Sequence, residues 1–285
     1  MKKYIIAYMI LIVGLTSQLS SVFAQKTFKV LSYNVLKGLQ QDSINHADYV
    51  KWVTEIDPDI VAYEEMNDFT QKSLEQFAAR YNHPYAVQSK LEGFPVALSS
   101  KYPIVNVQKV VDNMWHAYLY ASINNVHVFV IHFSPFDYKK RNHEIRNVLA
   151  HAATLPKNEK ILIMGDFNSL DRSDSANYNE DMVEGMRNNE KKQAHIRNLN
   201  NGQIDYTVMD QLVEAGFKDT FWLVNKKFRY SIPTKKYGEK NFRRIDFMWA
   251  NPEIAKDVKK ATIIHDEYTD RMSDHYPVYV EFDLK

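Results

Sequence analysis

The chain has 285 residues, with 36 Lys and Arg against 35 Asp and Glu and no Cys. So even a balance excludes the uniformly basic surface of a non-specific nucleic-acid binder. The lack of Cys excludes disulfides and thiolate metal sites, so any metal must be held by oxygen and imidazole.

The chain opens with Lys2-Lys3, an apolar stretch from Tyr4 to Leu15, and small residues around Val22-Phe23-Ala24 before Gln25. That is the three-part pattern of a secretory signal peptide. Its apolar stretch is shorter than the ~20 residues that span a bilayer, which favours cleavage over a retained anchor. The expectation is a leader over residues 1–24, export to the periplasm or the extracellular space, and one domain over 25–285. No later segment is apolar enough to span a membrane, and a monomer is expected.

From there, strand-like and helix-like runs alternate. Phe28–Tyr33 reads as a strand. His46–Ile56 places Ala47, Val50, Val53 and Ile56 at helical spacing, and Pro58 ends that helix before a strand at Asp59–Tyr63. A helix at Gln71–Arg80 follows. Strands are expected at Tyr85–Ser89, Val96–Ser99, Ile104–Val111, Tyr118–Ile123 and Val126–Phe133, with Asn124-Asn125 suited to a hairpin. Arg141–Leu155 reads as a helix and Lys160–Met164 as a buried strand. Ser169–Gln203 turns polar and reads as a surface insertion with some helix. Tyr206–Ala215 is helical, and Phe228–Ile232, Arg244–Trp249, Ala261–Ile264 and Pro277–Phe282 finish the chain as strands. Hairpins mixed with helices argue for packed mixed sheets covered by helices.

Polar clusters sit at the edges of these runs: Asn34, Glu64-Glu65, Gly165-Asp166-Phe167-Asn168, Arg244-Ile245-Asp246 and Ser273-Asp274-His275. Layered α/β proteins collect their sites at such strand tips. Mg²⁺ takes oxygen ligands and keeps several waters. Glu65 is the first choice as its ligand, with Asn34 at the neighbouring tip, while Glu64 points to the other face of an extended backbone. Asp166 suits a second metal or an attacking water, and Asn168 a phosphoryl oxygen. His275 suits pairing with a carboxylate, Asp246 being the best candidate, because an Asp fixes the tautomer of an acid–base imidazole. Lys226 to Arg244 is strongly basic, and it is either a solvated loop or a stretch that attracts an anionic substrate.

These segments resemble the endonuclease/exonuclease/phosphatase superfamily. The matching pieces are Leu31-Ser32-Tyr33-Asn34 with Gly38, Pro58 to Glu65, Ser100-Lys101-Tyr102-Pro103-Ile104, Ile131-His132, Gly165 to Asn168, Asp219-Thr220, Arg244 to Phe247 and Ser273 to Val278. They occur in the family's order over nearly the whole mature chain. The resemblance implies a four-layered α/β sandwich, with two packed mixed β-sheets flanked by helices and the site at one end. It also implies roles: Glu65, rather than Glu64, on the metal, with Asn34 and Asp274; Asp166 on the water; Asn168 on the phosphate; and Asp246 with His275 as the Asp–His pair. His132 then protonates the leaving oxygen or contacts phosphate, as in the deoxyribonuclease branch. Glu64 stands where the family usually has Gln, and Val96 where many relatives have Asn.

The expected function is an exported phosphoesterase using Mg²⁺, with Mn²⁺ as a substitute, that hydrolyses a phosphodiester by attack of a metal-activated water. Nucleic acid, a lipid head group and a small phosphate ester are the candidate substrates. The alternatives are a phosphomonoesterase on a small compound and a non-catalytic binding protein that keeps the fold. Arg243 and Arg244 are substrate-side cations in this reading, although one of them could instead brace Asp246. Asp219-Thr220 is read as a structural turn, and His116 and the other histidines as packing or surface residues. Trp115 and Trp222 are candidates to line a cleft, and the 169–203 insertion to wall the site.

Overall fold

The structure, a computed structural model, describes residues 27–284; the leader expected over residues 1–24 lies outside them. Its strands are β1 (Phe28–Asn34), β2 (Ile60–Glu64), β3 (Tyr85–Gln88), β4 (Ala97–Ser100), β5 (Val105–Val110), β6 (Ala117–Ile123) and β7 (Val126–His132). They continue with β8 (Lys160–Asp166), β9 (Leu199–Asn200), β10 (Gln203–Ile204), β11 (Lys218–Asp219), β12 (Asp246–Ala250), β13 (Val258–Ile263) and β14 (Val278–Phe282).

Twelve of them form two six-stranded sheets, ordered β13-β14-β1-β2-β4-β3 and β11-β12-β8-β7-β6-β5. Each sheet has one parallel pair, β1 with β2 and β7 with β8. A parallel pair needs a crossover, here the helices Ser43–Ile56 and Tyr138–Ala152. Both helices start one turn earlier than the apolar spacing suggests, because Asp42 and Asp137 cap them: their Oδ1 atoms each accept a backbone N–H at 2.7 Å, from Ile44 and Lys139. Asn124 and Asn125 take φ of 50° and 62° at the β6–β7 turn, the left-handed pair that a two-residue hairpin requires.

Strand alternation sorts the apolar residues into layers. Val30, Ile60, Ala62, Val128, Val130, Leu162, Met164 and Met248 fill the space between the sheets. Leu31, Tyr33, Val61 and Tyr63 face outward onto Tyr49, Trp52, Leu74 and Phe77 of two covering helices. Phe129, Ile131, Ile163 and Phe247 face the opposite way onto Ile145, Val148, Val208 and Leu212. Helix, sheet, sheet, helix is the four-layered sandwich expected from the sequence.

One local expectation changes, and another gains detail. Phe228–Ile232 is not a strand: it meets its neighbour only at an Ile232–Arg243 bridge. The Ser231 hydroxyl explains the stop, because it accepts the Ile245 and Asp246 N–H groups at 3.0 and 3.2 Å where a ladder would continue. The polar stretch after Ser169 holds a 3₁₀ turn (Arg172–Asn177), a helix (Glu180–Lys192) and the β9–β10 hairpin.

Candidate active site

The alternation that builds the inter-sheet core also builds the site. Val30, Ser32 and Asn34 share one face of β1, and Ile60, Ala62 and Glu64 one face of β2, with Asn34 opposite Glu64. On the facing sheet His132, Asp166 and Asp246 lie opposite one another across β7, β8 and β12. All three share the face that carries Val130, Met164 and Met248. The space between the sheets is therefore apolar along its length and polar at one end.

Asp166 is the hub. Its Oδ1 accepts the Asn168 N–H at 2.8 Å, and its Oδ2 accepts from Asn34 Nδ2 at 3.1 Å. His132 Nε2 and His275 Nε2 lie 3.6 and 3.8 Å from the same Oδ2. The other ring nitrogen of His275, Nδ1, sits 3.1 and 2.9 Å from the two Asp246 oxygens. Ser273 ties this last motif to β1 by donating to the Asn34 carbonyl at 2.7 Å. Asp274 is the most open member, 39 % exposed at the side chain and 4.0 Å from His275 Nε2.

Glu65 leaves β2 with a φ of 59°, which turns its carboxylate away from that of Glu64. Its Oε2 accepts the Lys37 N–H at 3.1 Å, and its Oε1 lies 3.4 Å from Asn34 Nδ2. Gly38 closes this loop at φ +61°; a Cβ there would meet the Asn67 carbonyl at 2.3 Å. Glu64 turns inward and is fully buried under the cluster, where its Oε1 accepts the Ser32 hydroxyl at 3.2 Å.

Burial and crowding of like charge set the protonation states. Burial, then Asp246, pushes the Asp166 carboxyl up to about 7. Burial also raises Glu65, and it raises Glu64 well above the usual carboxylate range, with Asp246 and Asp166 adding to it. Burial alone would lower His275, but Asp246 and Asp166 outweigh it and hold the imidazole protonated. His132 goes the other way: burial, then His116 and His275, keeps it neutral. The site thus holds one charged and one neutral imidazole.

Gly165 explains the glycine before Asp166. Its φ is +138°, and a Cβ there would stand 2.0 Å from the Ile131 carbonyl of β7. The Gly165→Ala variant is expected to lose roughly 2–5 kcal/mol from strain and overpacking together. A melting curve should show a fall of at least about 5 °C; an unchanged midpoint would contradict this account of the close approach.

The two arginines part company. Arg243 lines a cavity with Asn168 and His275, its Nε is buried without a hydrogen-bond partner, and among the described residues no carboxylate pairs with it. Arg244, read from the sequence as a substrate-side cation, is corrected: it is 1 % exposed, with Nε 2.8 Å from Asp174 Oδ2 and Nη1 2.6 Å from Asp219 Oδ2. Its guanidinium also lies 4.4 Å from the Phe247 ring centroid. Neighbours on an extended backbone point apart, so only one of the pair can reach the cleft. The insertion walls the Arg243 cavity through Leu170, Met186 and Asn198.

His116, read as a packing residue, instead stacks on His132 with ring centroids 4.1 Å apart. Only the β6–β7 register brings it there, since Ala117 pairs with His132 and His116 immediately precedes it. No local signal in the sequence marks it.

The model described as the Endonuclease/Exonuclease/phosphatase family matches residues 31–275. Among solved structures, an AP endonuclease from Archaeoglobus fulgidus is similar at a TM-score of 0.67 and 18 % identity, covering 90 % of this chain and 100 % of that one. The 3′-5′ exonuclease NExo from Neisseria meningitidis gives 0.66 and 18 %, with 90 % and 100 % covered. The D. rerio protein TDP2, complexed with a single-strand DNA product, gives 0.61 and 16 %, with 90 % and 99 % covered. At these identities the likeness is one of fold. No curated protein matches the sequence.

Proposed function

This chain belongs to the endonuclease/exonuclease/phosphatase family and is a hydrolase of phosphoric ester bonds; from that premise we propose a Mg²⁺-dependent phosphodiesterase, exported from the cytoplasm, that acts first on nucleic-acid phosphodiesters. The observation that carries the reading is the row His132, Asp166 and Asp246 across three adjacent strands, with His275 paired to Asp246 at its end. Export rests on the leader pattern of residues 1–24. The nucleic-acid reading draws support from NExo and TDP2, whose structures hold DNA products, and from the exposed Lys226, Lys227, Lys235, Lys236 and Lys240 on the basic stretch.

The donors fit a hard divalent cation. Burial raises both Glu65 and Asp166, carboxylates whose buried negative charge a cation would relieve. The pairing of His275 Nδ1 with Asp246 favours a seat on the Glu65 side, held by Glu65 with Asn34 and Asp274. An ion bound there supplies charge neutralisation of the phosphoryl group and a more acidic water.

The chain's own residues do the rest. Asn168, Arg243 and protonated His275 hold the phosphoryl oxygens, and the neutral His132 ring contributes an N–H contact to them. Asp166, raised to about 7, orients the attacking water and takes its proton, as suits a base working near neutral pH. Asp246 keeps the proton of His275 at Nδ1.

The test is hydrolysis of bis-p-nitrophenyl phosphate and p-nitrophenyl phosphate by the mature protein with Mg²⁺, Mn²⁺ or EDTA. Hydrolysis of the diester in excess over the monoester, abolished by EDTA and restored by Mg²⁺, is expected. Activity that survives EDTA sinks the metal, and a monoester preference replaces the diesterase with a phosphatase.

A further inference from the structure

Beside the reaction centre lies a cleft of about 540 Å³, within the roughly 300–1,000 Å³ of small-ligand sites. It shares Asp166, Asn168 and His275 with that centre, and its remaining wall is mostly rings. His132, 3.6 Å from Asp166, stacks on His116. Phe94 meets His116 edge-on at 5.2 Å, and Trp115 meets Phe136 edge-on at 5.5 Å. Three separate segments supply them: the loop before β4, the β5–β6 connection and the turn after β7.

Trp115 is the informative member. Packing does not explain it, because the residue is 49 % exposed in a chain whose Trp52 and Trp249 are 3 % and 2 % exposed. Its backbone N–H donates to the buried Glu144 carboxylate, which fixes the position of the residue while the indole stays open to the cleft. Edge-on contact with Phe136 leaves indole face available for stacking.

We propose that this cleft is a subsite for a planar nucleobase-sized ring carried by the phosphoester whose phosphorus sits at Asp166 and Asn168, a ring that stacks on Trp115 between Phe94 and Phe136. The proposal rests on the phosphodiesterase reading above and deepens it by assigning the place where the substrate's base is held. Aromatic walls also suit a quaternary ammonium, as in a choline head group. Lys90 decides against that occupant: its ammonium lines the same cleft, and among the described residues no carboxylate pairs with it. The carboxylates lining the cleft, Glu65 and Asp166, are those assigned to the cation and the water. A nucleobase meets no such repulsion, and its edge offers acceptors to Lys90.

The experiment is calorimetric binding in EDTA of thymidine 5′-monophosphate, ribose 5-phosphate and phosphocholine to the mature protein. The nucleotide should bind at least about tenfold tighter than the sugar phosphate, the scale of one base–aromatic stack. Trp115→Ala should close that gap, while Trp115→Phe should keep most of it, and both should melt within a few degrees of the native protein. Equal binding of nucleotide and sugar phosphate, no binding of either, a gap indifferent to Trp115→Ala, or tighter binding of phosphocholine each overturns the proposal. Hydrolysis of bis-p-nitrophenyl phosphate is scored separately. In the native protein, equal binding of nucleotide and sugar phosphate with hydrolysis intact strikes the cleft alone, and tighter nucleotide binding without hydrolysis strikes the reaction alone.

Discussion

The Asp166→Asn variant is expected to lose about 10²–10⁴-fold in kcat, the usual contribution of a positioned acid–base group, while its fold becomes no less stable. The amide occupies nearly the volume of the carboxyl, and its oxygen still accepts the Asn168 N–H. Asn34 Nδ2 loses its acceptor, a loss smaller than the relief of a buried charge. The amide cannot, however, take a proton from water. The stability half follows from linkage. Folding raises Asp166 from 3.8 to about 7, mainly by burial and then by Asp246. A raised carboxyl contributes stability that is fully present below its unfolded pKa and lost as pH rises through the folded value.

In EDTA at about pH 8 the native protein carries that loss and the variant does not, so the variant's melting temperature should equal or exceed the native one there. At about pH 5 the advantage should shrink, because the native carboxyl is then protonated. Steady-state kinetics on the diester and melting curves at the two pH values check both halves. Near-normal kcat would remove Asp166 from the chemistry. A variant that melts several degrees lower at the higher pH would make Asp166 a structural residue.

For Arg244→Met the expected damage is structural. The native guanidinium is buried against Asp174 and Asp219. Burial alone would lower its pKa, but the two acids outweigh that and raise it. Removing one partner of a buried ion pair typically costs about 3–5 kcal/mol, because the other charges are left uncompensated. For a domain of this size that is a fall of roughly 6–20 °C in melting temperature.

The loss has a pH signature. Burial already pushes Asp219 up to about 6 with Arg244 beside it, and without Arg244 both acids must take a proton to stay buried. A carboxyl raised on folding contributes stability that is fully present below its unfolded pKa and lost as pH rises through its folded one, so the variant's deficit should be largest above about pH 7 and smaller near pH 5. On protein that remains folded, KM for the diester should stay within about threefold of native. A variant that melts normally but shows a large rise in KM would return Arg244 to the substrate.

Much of the architecture was legible because its signals are local. Short apolar runs exposed β1, β2, β7 and β8, and the polar residue at each tip could be read off directly. Asn124-Asn125 announced a hairpin through its tolerance of positive φ, whereas only the structure shows that a Cβ does not fit at Gly165 and Gly38. Phe228–Ile232 looked like a strand because its composition is that of one; whether it pairs depended on Ser231 and its claim on two backbone N–H groups.

What the sequence determined by itself was the layering and much of the inventory: most of the long strands, which faces are apolar, and that Asn34, Glu65, Asp166, Asp246 and His275 stand at their ends. Those follow from short-range backbone geometry, which each segment carries within itself. Only the tertiary structure decided which polar residues meet. The β7–β8–β12 register set His132, Asp166 and Asp246 in one row. The same packing buried Glu64 beneath the site, turned Arg243 toward the cleft and Arg244 into a cage, and brought His116 onto His132. The reason is physical: a side chain's charge and its availability to substrate depend on burial and on partners tens to hundreds of residues away, and neither is encoded in the neighbours along the chain.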